Sequence, residues 1–253
     1  MKEYTFEDII FRETKPITVE KPLIFCGLPD IGLVGVIAVS HMVEQLQMEE
    51  VGHIDSELFP PIVIFHRGDL KYPIRIYQKN RIIAILSEIA IPVPAVYPVS
   101  KAITMWAKEK GAELLLSIGG VGVPNRLEIE TPEVYGASAF PYLREQFKRL
   151  GIHMLEEGFL VGPYALILKQ SYLLNVPSAI FLAQAFPQYP DPGAAAETLK
   201  VINRTFGLNV DVSKLIEKSE EIRLRARELM KRTAAVMKQM GKTQEYELPL
   251  MYG

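Results

Sequence analysis

The 253-residue chain has a single cysteine, Cys26, so it can form neither an internal disulfide nor a cysteine-built zinc site. A fold that needs no bridge suits a reducing compartment, and a cytoplasmic protein is expected. Charge of one sign is also missing in excess. The 28 Lys and Arg are set against 30 Asp and Glu, for a net charge of -2, and no long basic block occurs. That balance argues against a general nucleic-acid surface. Long hydrophobic runs are absent too. The most apolar stretch, 22–42, is broken by Pro29, Asp30 and three glycines, which makes it a poor membrane span. The opening residues, MKEYTFEDIIFRE, place acids where a signal peptide would carry its apolar run. What the chain does have, 49% hydrophobic and 23% charged residues, is the composition of a globular protein with a substantial core.

The order of elements points to an α/β fold, a mostly parallel sheet covered by helices. PLIFCG (22–27) is a short apolar run ending in glycine, as in a buried strand. Leu28-Pro29-Asp30 then turns the chain into a helix over about 31–47. Strand candidates follow at 51–55, 62–66, 73–78 and 81–87, separated by turn-forming Arg67-Gly68-Asp69 and Lys79-Asn80, and they read as an inserted antiparallel meander. Beyond them the alternation is regular. Helices are expected over about 97–110, 139–150, 163–174 and 193–206, three of them stopping at Gly111, Gly151 and Gly207. Strands are expected at 113–118 and 177–183.

The search for chemistry returns no catalytic constellation. Gly27, Gly32 and Gly35 sit at a strand-to-helix junction, but their spacing is not G-x-G-x-x-G and no Gly-Lys-Ser/Thr closes it. Asp30 in the turn would repel a phosphate, so these glycines read as allowing a tight turn and close helix packing. Ser117 to Gly122 (SIGGVG) reads as a second glycine-rich loop at the carboxyl end of a strand, with Asn125, Arg126 and Glu128 following. His41, His53, His66 and His153 show neither H-x-H nor H-E-x-x-H. Cys26 reads as a small core residue, and no G-x-S-x-G elbow occurs. Glu128, Glu130, Glu133, Glu156 and Glu157 read as solvated surface. Asp191, just before Pro192, reads as the N-cap of an Ala-rich helix. No cofactor and no metal are expected.

The carboxyl-terminal part differs in kind. After N-cap chemistry at Asp211 and Ser213, a charged amphipathic helix is expected from about Lys214 to Met240. Leu215, Ile222, Leu229 and Val236 recur every seven residues, interleaved by Ser219, Ala226, Thr233 and Met240, and form an apolar seam. The seam suits either a helix laid on its own domain or a helix shared between subunits. The polar tail KTQEYELPLMYG follows Gly241. The expected division is an α/β core over 1–212, the helix over 213–241 and the tail over 242–253.

Four segments, GLPDIGLVG (27–35), SIGG (117–120), GFLVGPYALIL (158–168) and YPDPGAAAETLKVINRTFGLNVDVSKL (189–215), together resemble the proteasome assembly chaperone family. Within that family they look most like the archaeal relatives of its second eukaryotic member. The resemblance implies a fold similar to purine nucleoside phosphorylases without their enzymatic activity. It also implies a homo-oligomer, tetramer or pentamer, that works around the 20S proteasome. The chain closes on Met251-Tyr252-Gly253, which is similar to the hydrophobic-Tyr-any motif by which proteasome activators and assembly factors dock between α subunits of the 20S ring. An apolar anchor, an aromatic body and a terminal carboxylate facing a pocket lysine make that docking chemically reasonable. Several weak tails on one oligomer would bind together through effective concentration.

The expectation is therefore a non-enzymatic assembly chaperone or ATP-independent activator, whose partners are 20S α subunits and itself, and neither nucleic acid nor membrane. Two other readings stay open: a self-assembling scaffold that does not bind the proteasome, and a nucleoside-handling enzyme suggested by the glycine-rich segments.

Overall fold

The computed structural model describes residues 2–242. In chain order the elements begin with β1 (Lys2–Phe6), β2 (Ile9–Glu13), β3 (Leu23–Gly27), α1 (Val34–Gln45) and β4 (Glu49–Asp55). Next come β5 (Ile64–His66), β6 (Asp69–Lys71), β7 (Ile74–Lys79), β8 (Ile82–Ser87), α2 (Val93–Glu109) and β9 (Leu114–Gly122). The remainder are β10 (Val134–Ala137), α3 (Pro141–Arg149), β11 (His153–Met154), α4 (Pro163–Leu174), β12 (Ser178–Ala185), α5 (Pro192–Phe206), α6 (Ser213–Glu217) and α7 (Ser219–Gln239).

Ten strands form one sheet in the order β1-β2-β4-β7-β8-β3-β9-β12-β10-β11, and β5 and β6 make a separate hairpin. At its centre β8, β3, β9 and β12 run parallel. All five residues of β3 are buried, as befits a strand covered on both faces. Antiparallel strands extend the sheet on both sides. The sheet is therefore mixed, with the expected parallel character concentrated in the middle. The meander expected around 51–87 is present as β4, β7 and β8, while the strand candidate at 62–66 leaves the sheet to pair with β6.

The acidic opening residues form an antiparallel hairpin, β1–β2, that closes one edge of the sheet. Alternation explains it: Ile9, Phe11 and Glu13 point inward and are buried. Phe11 stacks on the fully buried Trp106 of α2 at 5.2 Å between ring centroids. Glu13 is neutralised by the ammonium of Lys110.

Helix α2 begins earlier than the proline-rich sequence suggests, at Val93 instead of residue 97. Pro94 falls in the first turn, where a missing N–H costs nothing, and Pro98 is carried inside the helix. The Gly111, Gly151 and Gly207 stops hold within a residue or two, with all three at positive φ. Two cores result, one on each face of the sheet. Helices α1, α3, α5, α6 and α7 cover one face. Helices α2 and α4 pack together over the other, where Cys26 lies fully buried. Burial pushes the Cys26 thiol far above its ordinary pKa, which suits a core residue and not a nucleophile.

The carboxyl-terminal helix is two helices. Lys218, at φ -98 and ψ 18, interrupts it between α6 and α7. Ser219, Glu220 and Glu221 then begin a fresh helix with acids in its first turn, where the helix dipole favours them. Among the described residues no helix is long and apolar enough to cross a membrane.

Candidate functional site

The features that set this chain apart meet at the carboxyl ends of the parallel strands β3 and β9, where open α/β sheets place ligands. Beyond β3, Leu28-Pro29-Asp30 turns into a 3-10 segment, Ile31–Leu33, and then α1. The turn is held from the side by Tyr164 of α4. Its hydroxyl accepts from Leu28 N at 2.7 Å and donates to Leu28 O at 2.7 Å, satisfying both backbone groups of a fully buried residue. Helix α1 then crosses β9 at the closest distance a backbone allows. A Cβ at Gly35 would lie 2.0 Å from Ile118 O, so only glycine fits there.

The Ser117 to Gly122 segment is not a loop, as its composition suggested. It is the second half of β9, paired with β12 out to Gly122 opposite Ala185. Its glycines serve close approach. A Cβ at Gly119 would stand 2.8 Å from Asp30 Oδ2 and 2.9 Å from the Tyr164 ring. The turn and the tyrosine thus lie directly on the strand, which explains glycine in a central strand that composition alone disfavours.

Asp30 is buried, and the residue facing it is Lys242, at the far end of the described chain. Lys242 Nζ lies 3.3 Å from Asp30 Oδ1 and donates to Val161 O at 2.7 Å, and the two side chains are only 3% and 2% exposed. Burial raises the Asp30 pKa above its ordinary value. The Lys242 charge and the amides of Ile31 and Gly120 pull the other way.

Helix α7 bridges to this point along the same face. Met230, Thr233 and Met237 are its buried contacts. Between α7 and Pro187–Pro190 runs a groove of about 1040 Å³, lined among others by Ile31, Tyr189, Leu224, Met237 and Lys242.

Of the seam residues, Leu215 is 2% exposed in the chain's own core, and Ile222 and Leu229 pack against it half-buried. Val236 is half-buried and shares with Leu229 a second groove, of about 490 Å³, opposite Pro92 and Val93. The large apolar residues of α6 and α7 that are exposed are Ile216 and Leu224, at 56% and 72%. Met251, Tyr252 and Gly253 lie outside the described residues.

Asp191 caps α5 as its position before Pro192 suggests, accepting from Ala194 N at 2.9 Å. It also receives Arg126 Nε at 2.7 Å and Nη2 at 3.2 Å in a buried bidentate pair. Arg126, which the sequence offered as a polar group beside a glycine loop, is thereby committed to structure. Among the described residues no group of three or more His, Cys, Asp or Glu is placed to hold a metal.

Sequence reasoning missed Tyr164 and Lys242. The tyrosine could have been suspected from its place in GFLVGPY, in the first turn of a helix whose opening half is otherwise apolar. The lysine carries no local signal.

Comparison with known proteins bears on the same segments. A model of the PAC2 family matches residues 24–230. The crystal structure of Pyrococcus furiosus PbaA, an archaeal homolog of proteasome-assembly chaperone, superposes with a TM-score of 0.83 at 30% identity, covering 89% of this chain and 98% of that one. Pyrococcus furiosus PbaB, an archaeal proteasome activator, shares the fold with a TM-score of 0.74 at 21% identity, over 88% of this chain and 99% of that one. An uncharacterized protein of Methanocaldococcus jannaschii is 25% identical over 232 residues, 92% of this chain and 95% of its own length.

Proposed function

The chain belongs to the PAC2 family, and from that premise we propose that it is a non-enzymatic proteasome assembly chaperone or ATP-independent activator. In this reading it works in the cytoplasm as a homo-oligomer and docks Met251-Tyr252-Gly253 on the α ring of the 20S proteasome. The observation that carries the proteasome half is the likeness to PbaA, at 30% identity along nearly the whole of that chain. The tail half is supported by the sequence Met251-Tyr252-Gly253 itself and by its place a short way past Lys242. Eleven residues beyond Lys242 could span at most roughly 40 Å when extended. That is ample to reach a neighbouring surface. The decisive experiment is a pull-down of 20S particles from the same source, with the intact protein beside a variant lacking residues 251–253. Binding by the intact protein alone supports the reading, and equal binding by both refutes tail docking.

Self-association belongs to the same proposal, and a scaffold that ignores the proteasome is its rival. Ile216 and Leu224, exposed aliphatic side chains on the helices that lead to the tail, are where such a contact can be tested. Deleting 214–253 would be a poor test, since it strips Leu215, Met230 and Met237 from the core. Ile216→Glu and Leu224→Glu leave that core intact. A fall in oligomer mass by light scattering supports a subunit contact there, and unchanged mass removes these two residues from it.

A further inference from the structure

We infer that the segments around Asp30, Gly119 and Val161 build a socket for one alkylammonium group, that Lys242 fills it, and that this contact fixes the point at which the chain passes beyond α7. The importance of that exit point for docking rests on the tail reading above; the socket itself does not.

The geometry is that of a made-to-measure site. One wall is Asp30, whose carboxylate is 2% exposed and lies 3.3 Å from the ammonium. A second wall is the Val161 carbonyl, which accepts from Lys242 Nζ at 2.7 Å. The third is bare backbone: the strand passes Asp30 at Gly119, where any side chain would meet the carboxylate. Along the lysine stem, a Cβ at Gly162 would lie 3.7 Å from Lys242 Cδ, so the approach is filled without being crowded. Gly162 has φ 97, a conformation that side chains resist, and its turn presents the Val161 carbonyl just ahead of α4.

Energetics make an accidental contact a poor explanation. Lysine is among the side chains least often buried, and it loses much rotamer freedom when fixed. Removing both charges from water is costly, and such pairs are best attested where they select one register out of several. Here the register is that of α7. A seven-residue stripe of aliphatic and small residues can slide by a turn along its own core, whereas an ammonium in a closed socket accepts one position. The site also lies near where an α/β fold would hold a ligand, beyond the end of β3 and against the second half of β9. Its ligand is supplied by the chain.

The test uses the full chain and chemical complementation. Lys242→Ala removes the side chain beyond Cβ, which n-propylammonium replaces atom for atom. The variant should melt about 5–10 °C below the parent, the scale of a broken buried pair. Added n-propylammonium should recover much of that loss, and tetramethylammonium at equal ionic strength should recover none. The double variant Asp30→Asn/Lys242→Ala should not respond to either. A nitroxide on Glu245→Cys reports the exit point, because Cys26 is buried and does not compete for label. Its spectrum should sharpen in Lys242→Ala and stay sharp when n-propylammonium restores the melting temperature.

A parent-like melting temperature with an unchanged label spectrum would overturn the inference. So would n-propylammonium stabilising parent and variant alike. A pull-down on the same proteins separates the two proposals. Failure of the parent to bind 20S refutes the tail reading and leaves the socket standing. Equal binding by parent and Lys242→Ala, with a mobile label, refutes the importance of the exit point.

Discussion

Removing one oxygen from Tyr164 tests whether the Leu28 turn is held as described. In Tyr164→Phe the ring still fills its place against Gly119, but Leu28 N and Leu28 O, both bonded to the hydroxyl at 2.7 Å, lose their partner together. Leu28 is fully buried and Tyr164 is 1% exposed, so water has no ready access to replace the lost bonds. Leaving a buried donor or acceptor unsatisfied costs about 1–3 kcal/mol each. The acceptor is the more forgiving of the two, because a carbonyl is more often found under-satisfied than an N–H. The loss should therefore come to about 2–4 kcal/mol. Equilibrium urea unfolding at fixed protein concentration reads it. With an m-value of about 3 kcal/mol/M, the midpoint should fall by about 1 M while m stays constant. The cost comes from hydrogen bonds and not from packing, so Tyr164→Leu, which also opens a cavity, must be worse still. A Tyr164→Phe midpoint within about 0.2 M of the parent would refute it.

Gly35→Ala should lower the melting temperature by roughly 6–12 °C, because the new Cβ would fall 2.0 Å from Ile118 O and α1 must lift from β9 to admit it. A thermal scan showing less than about 2 °C would mean that the helix is free to move. His53 stacks on Tyr72 at 3.6 Å, and burial, helped by Arg12, depresses its pKa below the ordinary 6.5. A depressed imidazole contributes stability above its unfolded pKa and loses it as pH falls through the folded value. Stability should thus drop on acidification below about pH 6.5. His53→Phe, which keeps the stack, should flatten that part of a melting-temperature profile taken from pH 7.5 to 5. An unaltered slope would assign the acid sensitivity to other groups.

Legibility in the sequence followed how local each cause is. Strands β3, β9 and β12 were readable because burial on both faces demands a continuous apolar run, and such runs stand out in any window. The β1–β2 hairpin was not. Glu13 occupies an inward strand position because Lys110, far along the chain, neutralises it, and a lone acid in a short alternating run looks like surface. The second half of β9 was misread for the same kind of reason. Glycine is a poor strand former, and only the Asp30 turn and the Tyr164 ring lying on Gly119 make it the right choice there. The seven-residue stripe was legible as a stripe, but what it faces is decided by residues outside it. Leu215, Ile222 and Leu229 meet the chain's own core, while the exposed Leu224 belongs to no periodic pattern.

Three of the segments by which the chain resembles a family come together in the fold. GLPDIGLVG, SIGG and GFLVGPYALIL are distant in sequence, yet Leu28, Asp30, Gly119, Val161 and Tyr164 meet around one turn at the carboxyl ends of β3 and β9. A change in any one of them requires a compensating change in the others: a side chain at Gly119 displaces Asp30, and loss of the tyrosine hydroxyl frees the turn that presents it. Around the Leu28 turn the tyrosine hydroxyl bonds to backbone and Asp30 pairs with the chain's own lysine, and on the socket proposal the position where α/β folds receive a ligand serves instead to hold the end of α7 in place.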